Sequence, residues 1–383
     1  LDAAAKKEKM HPMALAEFYT ASYFEDMDKL GNLRPDISPR ASGHIIEQIE
    51  MVKTLIEKGY AYEVGGSVYF EVSKFADYGK LSGRNLEEVK SGTRVEVSKE
   101  KKNPEDFAVW KKAEPNHIMQ WPSPWGMGYP GWHLECSVMS TKYLGKTFDI
   151  HGGGLENQFP HHECEIAQSR AAYGERFAKF WMHNNMVTVD SQKMGKSLNN
   201  FINLKQAFSG RHEKLTRSYS PLAIRQLILN SHYRSPLDFS DAALFAAQSG
   251  YDKITKTVKA LRKKIERAPE GPVDEDIEKQ LALITEKFEN AMNDDLNTAV
   301  ALSVIFELVR LTAKITEQPE VTNTTLTALD DKFTNLAGDV LAIVPDNYPA
   351  EHGGDDELID QLIKAFIQDR AEARKQKDFA TAD

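Results

Sequence analysis

Cys136, His161 and Glu165 bring a thiol, an imidazole and a carboxylate within reach of one another in two short runs. These runs are Gly131-Trp-His-Leu-Glu-Cys136-Ser and Phe159-Pro-His161-His-Glu-Cys-Glu165. His161 and Glu165 stand four residues apart, so a helix beginning near Pro160 presents both on one face. Cys136 lies well upstream, at the kind of separation that only a fold closes. A mixed sulfur, nitrogen and oxygen donor set suits Zn²⁺ better than Mg²⁺ or Ca²⁺, which prefer oxygen. Cys164 follows His161 by three residues and is the softer ligand, and periodicity does not choose between Cys164 and Glu165. A lone cysteine is more often a small buried hydrophobe, and zinc signatures commonly repeat a ligand pair, so spacing alone also admits a structural reading.

Two further stretches carry residues suited to phosphate chemistry. Lys193-Met-Gly-Lys196-Ser197 is a basic loop. Gly152-Gly153-Gly154 reads as a tight turn after a strand, where backbone approaches a nucleotide closely, with His151 and Glu156 beside it to reach ribose or base. Trp132 is a candidate wall for a small-molecule pocket, with core packing as its plain alternative.

The chain that must position these groups has 383 residues, 41% hydrophobic and 27% charged, enough for two or three domains with real cores. No apolar run approaches the roughly eighteen residues of a membrane span, so a membrane role is not expected. Two cysteines argue against a disulfide framework and for a reducing, cytoplasmic compartment. The start, Leu1-Asp-Ala-Ala-Ala-Lys-Lys, reads as helix interior rather than as a signal peptide. A net charge of −9 argues weakly against nucleic acid as a partner, yet Lys253–Arg267 is a strongly basic amphipathic stretch. Its Ile254, Val258, Leu261 and Ile265 follow the helical period and are expected to face inward, leaving the cations solvated or against RNA. Arg211–Arg217 is a smaller basic cluster.

Along the chain, Ala41–Lys58 reads as an amphipathic helix ending at Gly59. Tyr60–Glu71 reads as a hairpin around Gly65-Gly66. Short strands are expected at Arg94–Val97, Phe107–Trp110, Thr147–Ile150 and Met186–Val189, and Trp121–Gly126 as a turn-rich stretch. Strand, glycine-rich turn and helix in alternation predict an α/β layer with its site at the strand ends. Beyond Asp241 the spacing predicts helices over 241–267, 274–292, 296–317, 324–341 and 358–377, a helix bundle appended to that layer.

Read in order, Pro130–Ser137, Asp149–Gly154, Phe159–Glu163, Trp181-Met-His183, Lys193–Ser197, His232–Ser240 and Met292–Thr298 resemble the cysteinyl-tRNA synthetases. The resemblance covers nearly the whole chain. It implies an α/β fold: a Rossmann-like class I synthetase catalytic domain over 1–205, with an inserted connective segment at about 46–125. A linking stem over 206–240 and an all-α anticodon-side bundle over 241–383 follow. It implies Cys136, His161 and Glu165 as ligands of one Zn²⁺ that selects the cysteine thiol, with Cys164 a structural thiol. Lys193 and Lys196 match the lysines of the family's KMSKS loop, Lys196 being the one expected at ATP. His151, Gly152, Gly153, Gly154 and Glu156 are then expected at ATP, and Trp132 and His151 at cysteine. The implied reaction is ATP-dependent, with Mg²⁺, joining L-cysteine to tRNA(Cys), by a monomer. A ligase passing cysteine to an amino sugar, as in mycothiol-type pathways, and a tRNA-binding fragment without catalysis are the alternatives.

Two departures from the family pattern stand out. Gly195 occupies a position where the loop usually carries serine, which predicts altered loop kinetics rather than lost function. The family's HIGH motif, first Rossmann strand and a further zinc-ligating cysteine have no counterpart in these residues, so the sequence is expected to be a fragment, and a catalytically incomplete one.

Overall fold

The structure, a computed structural model, describes residues 2–84 and 100–348. Two helices, α1 (Asp2–Glu8) and α2 (Pro12–Lys29), open it. Pro12 sits at the first helical position, where its missing N–H costs nothing, and the His11 ring accepts from the Met13 amide. Helix α3 (Ile45–Glu57) buries Gln48, Met51, Val52 and Leu55, the stripe its 3.6-residue period dictates.

An antiparallel sheet follows, made of β1 (Ala61–Val64), β2 (Ser67–Phe70), β3 (Phe107–Lys112), β4 (Trp121–Ser123) and β5 (Gly126–Pro130), in the order β1-β2-β3-β5-β4. Gly65 and Gly66 turn the first hairpin at φ of 59° and 88°, two successive left-handed residues that a tight hairpin of this hand requires. The stretch expected only to turn, Trp121–Gly126, instead forms β4 and the start of β5. Pro122 is compatible with pairing because β4 is the sheet edge, where one flank of the backbone needs no partner. The expected strand at Arg94–Val97 lies outside the described residues.

Helices α4 (Trp132–Leu144) and α5 (Glu163–Tyr173) pack with α3 against this sheet. Their shared core includes Val52, Leu55, Phe70, Val109, Trp110, Leu134 and Ala167, none of them solvent-exposed. Helix α5 is also the crossover between two parallel strands, β6 (Phe148–Gly154) and β7 (Ala178–Asn184). Gly152, Gly153 and Gly154 are therefore not a turn. They continue β6, paired with Met182, His183 and Asn184, and none has a left-handed φ. What needs glycine is close approach: a Cβ on Gly153 would stand 2.8 Å from Cε1 of His162.

A second small sheet joins β8 (Val187–Val189), β9 (Gln192–Lys193) and β10 (Leu237–Asp238), with β10 parallel and β9 antiparallel to β8. Short helices α6 (Leu204–Ser209) and α7 (Pro221–Leu229) lead to α8 (Asp241–Ile265), α9 (Glu275–Asn293), α10 (Thr298–Thr316) and α11 (Asn323–Lys332). Ser240, Asp274, Asn297 and Thr322 cap the last four, each side chain accepting from an amide of the first turn. Ile254, Val258, Leu261, Ile305, Leu308, Leu326 and Phe333 fill the core they share. Helix α10 starts at Thr298 rather than Leu296, because Asp295 and Leu296 both take φ of 54°. The helix expected over 324–341 is two pieces: α11 stops at Lys332, and a wider turn runs over Phe333–Val340. The helix expected at 358–377 lies outside the described residues. No helix among them is long and apolar enough to cross a membrane.

Candidate active site

Trp132, His133 and Cys136 occupy the first two turns of α4, and His161 and Glu165 flank the start of α5. Phe159 is extended (φ −137°, ψ 131°) and kinks the chain, and a wider helical turn from Pro160 to His162 then runs directly into α5, so the helix starts where expected. His161 and Glu165 both follow the kink and stand one turn apart, with His161 Nε2 3.4 Å from Glu165 Oε1. Donor atoms of Cys136, His161 and Glu165 all lie within 4.8 Å of one another. His151, on β6, closes the group from the other side, its Nε2 3.0 Å from Glu165 Oε2.

Glu165 is fully buried, and neither carboxylate oxygen receives a well-directed hydrogen bond. A buried charge with no such donor is costly unless a cation completes it. Burial pushes the Cys136 thiol up to about 12, and the Glu165 carboxylate beside it adds to the rise. The thiol thus keeps its proton until a positive charge arrives to displace it. The donor set fits Zn²⁺: one thiol, one imidazole and one buried carboxylate.

The imidazole is oriented from behind. His161 Nδ1 is 2.8 Å from Nδ1 of His133, leaving Nε2 toward the carboxylate, as in sites where a ligating histidine's second nitrogen is engaged elsewhere. Burial, then the neighbouring His161 and Lys111, drops His133 to about 4. His162 Nδ1 is 2.8 Å from His183 Nε2, and burial with the nearby His151 and His183 drops His162 to about 3. Burial also lowers His161, against the pull of Glu165. At neutral pH these rings are uncharged and offer lone pairs, as metal ligation demands.

Cys164, which periodicity could not separate from Glu165, points elsewhere. Its sulfur is 3.4 Å from the Tyr78 hydroxyl within the core, and burial raises its thiol. It belongs to neither group of potential ligands among the described residues. Trp132 is 60% exposed, its ring centroid 4.2 Å from that of His161, so one indole face is open beside the cluster. Glu156 follows β6 and folds against Gly154, where a side chain would collide with its carboxylate.

Lys193 ends β9, and Lys196 opens the short turn Lys196–Leu198 on that separate sheet. Both are exposed, and Lys196 Nζ stands 5.4 Å over the Phe201 ring. Asn200, 4% exposed, ties the loop across its neck: its Oδ1 accepts from the Gly195 amide at 2.8 Å and its Nδ2 donates to the Lys193 carbonyl at 3.0 Å. Gly195 itself is extended (φ −165°). The structure thus gathers Trp132, Cys136, His151, His161 and Glu165, and carries the two lysines on and just after a different sheet. His133, His162, His183 and Asn200 were not singled out from the sequence. The histidines all stand inside the motifs quoted there, whereas nothing in the sequence marks Asn200.

The description "tRNA synthetases class I (C) catalytic domain" matches residues 1–249, and a DALR domain matches residues 287–344. Cysteine–tRNA ligase of Chlorobaculum tepidum is 50% identical over 99% of this chain and 75% of its own length. The enzymes of that name from Deinococcus radiodurans and Thermus thermophilus are each 45% identical, over 100% and 99% of this chain and 75% and 76% of their own lengths. A solved structure described as an arginyl-tRNA synthetase from Campylobacter jejuni shares the fold, with a TM-score of 0.51 at 14% identity over 88% of this chain and 72% of its own. With that fold and those relatives, the chain belongs to the cysteine–tRNA ligase family of class I aminoacyl-tRNA synthetases.

Proposed function

We propose that this protein activates L-cysteine with ATP and transfers it to tRNA(Cys), and that Cys136, His161 and Glu165 hold the Zn²⁺ by which cysteine is told from serine. The observation carrying this is the wholly buried Glu165 carboxylate, gathered within 4.8 Å of the Cys136 thiol and the His161 imidazole. Serine and cysteine differ little in size, and pocket shape alone discriminates by only about 1–3 kcal/mol per small group. Zn²⁺ supplies a soft Lewis acid that accepts a thiolate far better than a hydroxyl.

The chain's own residues do the remaining work. Trp132 lines the amino-acid pocket with its open face, and His151 lies at its polar side. His133 keeps His161 in the tautomer that leaves Nε2 free of a proton. The backbone of Gly152, Gly153 and Gly154, with Glu156, receives the adenosine of ATP, whose phosphates carry Mg²⁺. An oxygen of the cysteine carboxylate attacks the α-phosphorus, the bond to the β-phosphate breaks, and pyrophosphate leaves. Lys193 and Lys196 neutralise the charge gathering on that leaving group, the main service a protein renders to such a displacement. A hydroxyl of the terminal tRNA ribose then attacks the acyl carbon and AMP departs.

In this reading residues 1–205 form the catalytic part, with the connective segment at about 46–125. Residues 206–240 are the stem and 241–383 the tRNA-side bundle, of a monomer working in the cytoplasm. Cysteine-dependent exchange of labelled pyrophosphate into ATP, followed by charging of a tRNA(Cys) transcript, tests it, and exchange by these residues alone would refute the expected catalytic incompleteness. Cysteine is expected to outpace serine by more than a thousandfold, beyond what shape gives. Comparable rates for the two amino acids, or transfer to an amino sugar in place of tRNA, would refute it.

A further inference from the structure

Two carboxylates stand in the first turn of α5, and they face opposite ways. Residues two apart on a helix point about 200° from one another, so Glu163 turns away from the donors that Glu165 joins. Glu163 is 1% exposed and belongs to neither group of potential metal ligands among the described residues. Its oxygens are taken up otherwise. One accepts from the Gly79 amide at 3.1 Å, and the other accepts from the Ser82 amide at 2.7 Å and the Ser82 hydroxyl at 2.9 Å.

These three donors belong to residues 77–84, a strap that follows β2 and crosses the kinked approach to α5. Gly79 makes the strap's turn at φ 92°, where a Cβ would collide with the Arg84 carbonyl oxygen. The strap grips the chain on both sides of His161. Before it, Gln158 Nε2 donates to the Leu81 carbonyl at 2.9 Å, and the Arg84 guanidinium lies 4.5 Å over the Phe159 ring. After it come Glu163 and the contact of Cys164 with Tyr78. His161 needs such a hold more than its fellow donors do. Cys136 and Glu165 stand on helices packed on each other, whereas His161 stands in the turn just after the kink, where a helix's own hydrogen bonds are fewest.

We propose that Glu163 is a positioning residue for the metal: by fastening α5 to the strap it holds the His161 turn at the distance from Cys136 and Glu165 that Zn²⁺ requires. Zinc affinity then depends on a carboxylate that touches neither metal nor substrate, as it does where groups behind metal ligands orient them. The inference rests on the zinc reading of the proposed function, and its test separates the two.

Glu163→Gln keeps one acceptor oxygen and turns an amide toward the donor that the other oxygen served. It should weaken Zn²⁺ binding by about tenfold or more, measured by competition with a chromophoric chelator. Co²⁺ taken up in place of Zn²⁺ reports ligand geometry in its visible spectrum, and that spectrum should change as well. Ser82→Ala removes one donor at a half-buried strap position, away from the metal. It should weaken Zn²⁺ a few-fold with little change in Tm, which keeps the test open even where Glu163→Gln folds poorly. A purely structural Glu163 would lower Tm and leave metal binding alone. Wild-type zinc affinity and a wild-type Co²⁺ spectrum in the folded variants would therefore overturn the proposal. Failure of the unaltered protein to bind Zn²⁺ would instead overturn the reading of Cys136, His161 and Glu165 as its ligands.

Discussion

Glu165→Gln separates a metal-holding carboxylate from a merely structural one, because the two roles predict opposite signs. Without metal, the Glu165 side chain is buried with neither oxygen receiving a well-directed hydrogen bond. Its nearest polar neighbours are Nε2 of His151 at 3.0 Å and Nε2 of His161 at 3.4 Å. Replacing a buried carboxylate that lacks well-directed donors by a neutral group of the same shape should stabilise by about 1–3 kcal/mol, the usual penalty of a buried polar group left unsatisfied. With Zn²⁺ present the order reverses. A ligand that binds only the folded state adds about 4 kcal/mol at a thousandfold excess over its Kd, and loss of one of three protein donors removes most of that gain. The assay is thermal unfolding of wild type and variant, each chelated and each loaded with Zn²⁺, with bound metal measured by elemental analysis. The variant should melt higher than wild type after chelation and lower after loading, with zinc below stoichiometric. An equal zinc content and an equal metal-dependent rise in Tm would refute the assignment of Glu165.

Asn200→Ala removes both bonds across the neck of the lysine loop, leaving a buried amide and carbonyl to seek water. It should lower kcat for pyrophosphate exchange by roughly tenfold, with the KM for cysteine nearly unchanged, since Asn200 touches the loop and not the thiol site; a change confined to that KM would contradict its role. Gly195→Ser should fold with wild-type stability, because the backbone there is extended and the nearest atoms to a Cβ are 3.9–4.0 Å away; the exchange rate should shift by only a few-fold, and a drop in Tm would show that glycine is required. In chelated protein, stability should fall as pH drops from about 6.5 to about 4. The unfolded chain gains protons on His133 and His162 near 6.5, whereas the folded chain resists until about 4 and about 3, so acid favours unfolding across that window. Urea midpoints across pH 4–7 measure it, and His162→Asn should shallow the slope; an unchanged slope would assign the acid limb to other groups.

How much of this was legible in the chain depends on the range over which each feature is decided. The amphipathic helix before Gly59, the Gly65-Gly66 hairpin and the inward face of Ile254, Val258 and Leu261 are local, and the sequence pattern alone revealed them. The relation of His161 to Glu165 is local too. The choice between Glu165 and Cys164 is not: adjacent residues on a helix differ by about 100° in direction, and only the packing of α5 shows which faces Cys136 and which faces Tyr78. Gly152–Gly154 misled for the same reason. Glycines signal a turn when read alone, but parallel pairing with β7 and the His162 ring over Gly153 make them strand. Trp121–Gly126 looked like punctuation because Pro122 is tolerated on an edge strand, and edges are a property of the finished sheet. Asn200 carried no sequence signal at all, since any loop may contain an asparagine.

The two halves of the proposed chemistry rest on supports of different kinds, and the difference follows what each must do. Cys136 and Glu165 sit on helices that pack on one another, the buried Ser137 hydroxyl of α4 donating to the Glu165 carbonyl of α5 at 3.5 Å. Gln168 Nε2 donates to Ser137 Oγ at 3.2 Å across that seam, next to both donors. Distances between donors on such a seam change only if the core shared with the antiparallel sheet changes, and close-packed cores resist that. A site that distinguishes sulfur from oxygen by direct ligation needs fixed donors, for slack would admit water or a hydroxyl. Lys193 and Lys196 have no such frame: exposed side chains on a two-residue strand and a short turn, secured by one buried asparagine. Lysines that neutralise a departing pyrophosphate must also let it go, and exposed side chains on a short strand and turn can do both. The packed seam therefore belongs with selection, and the lightly tethered loop with turnover.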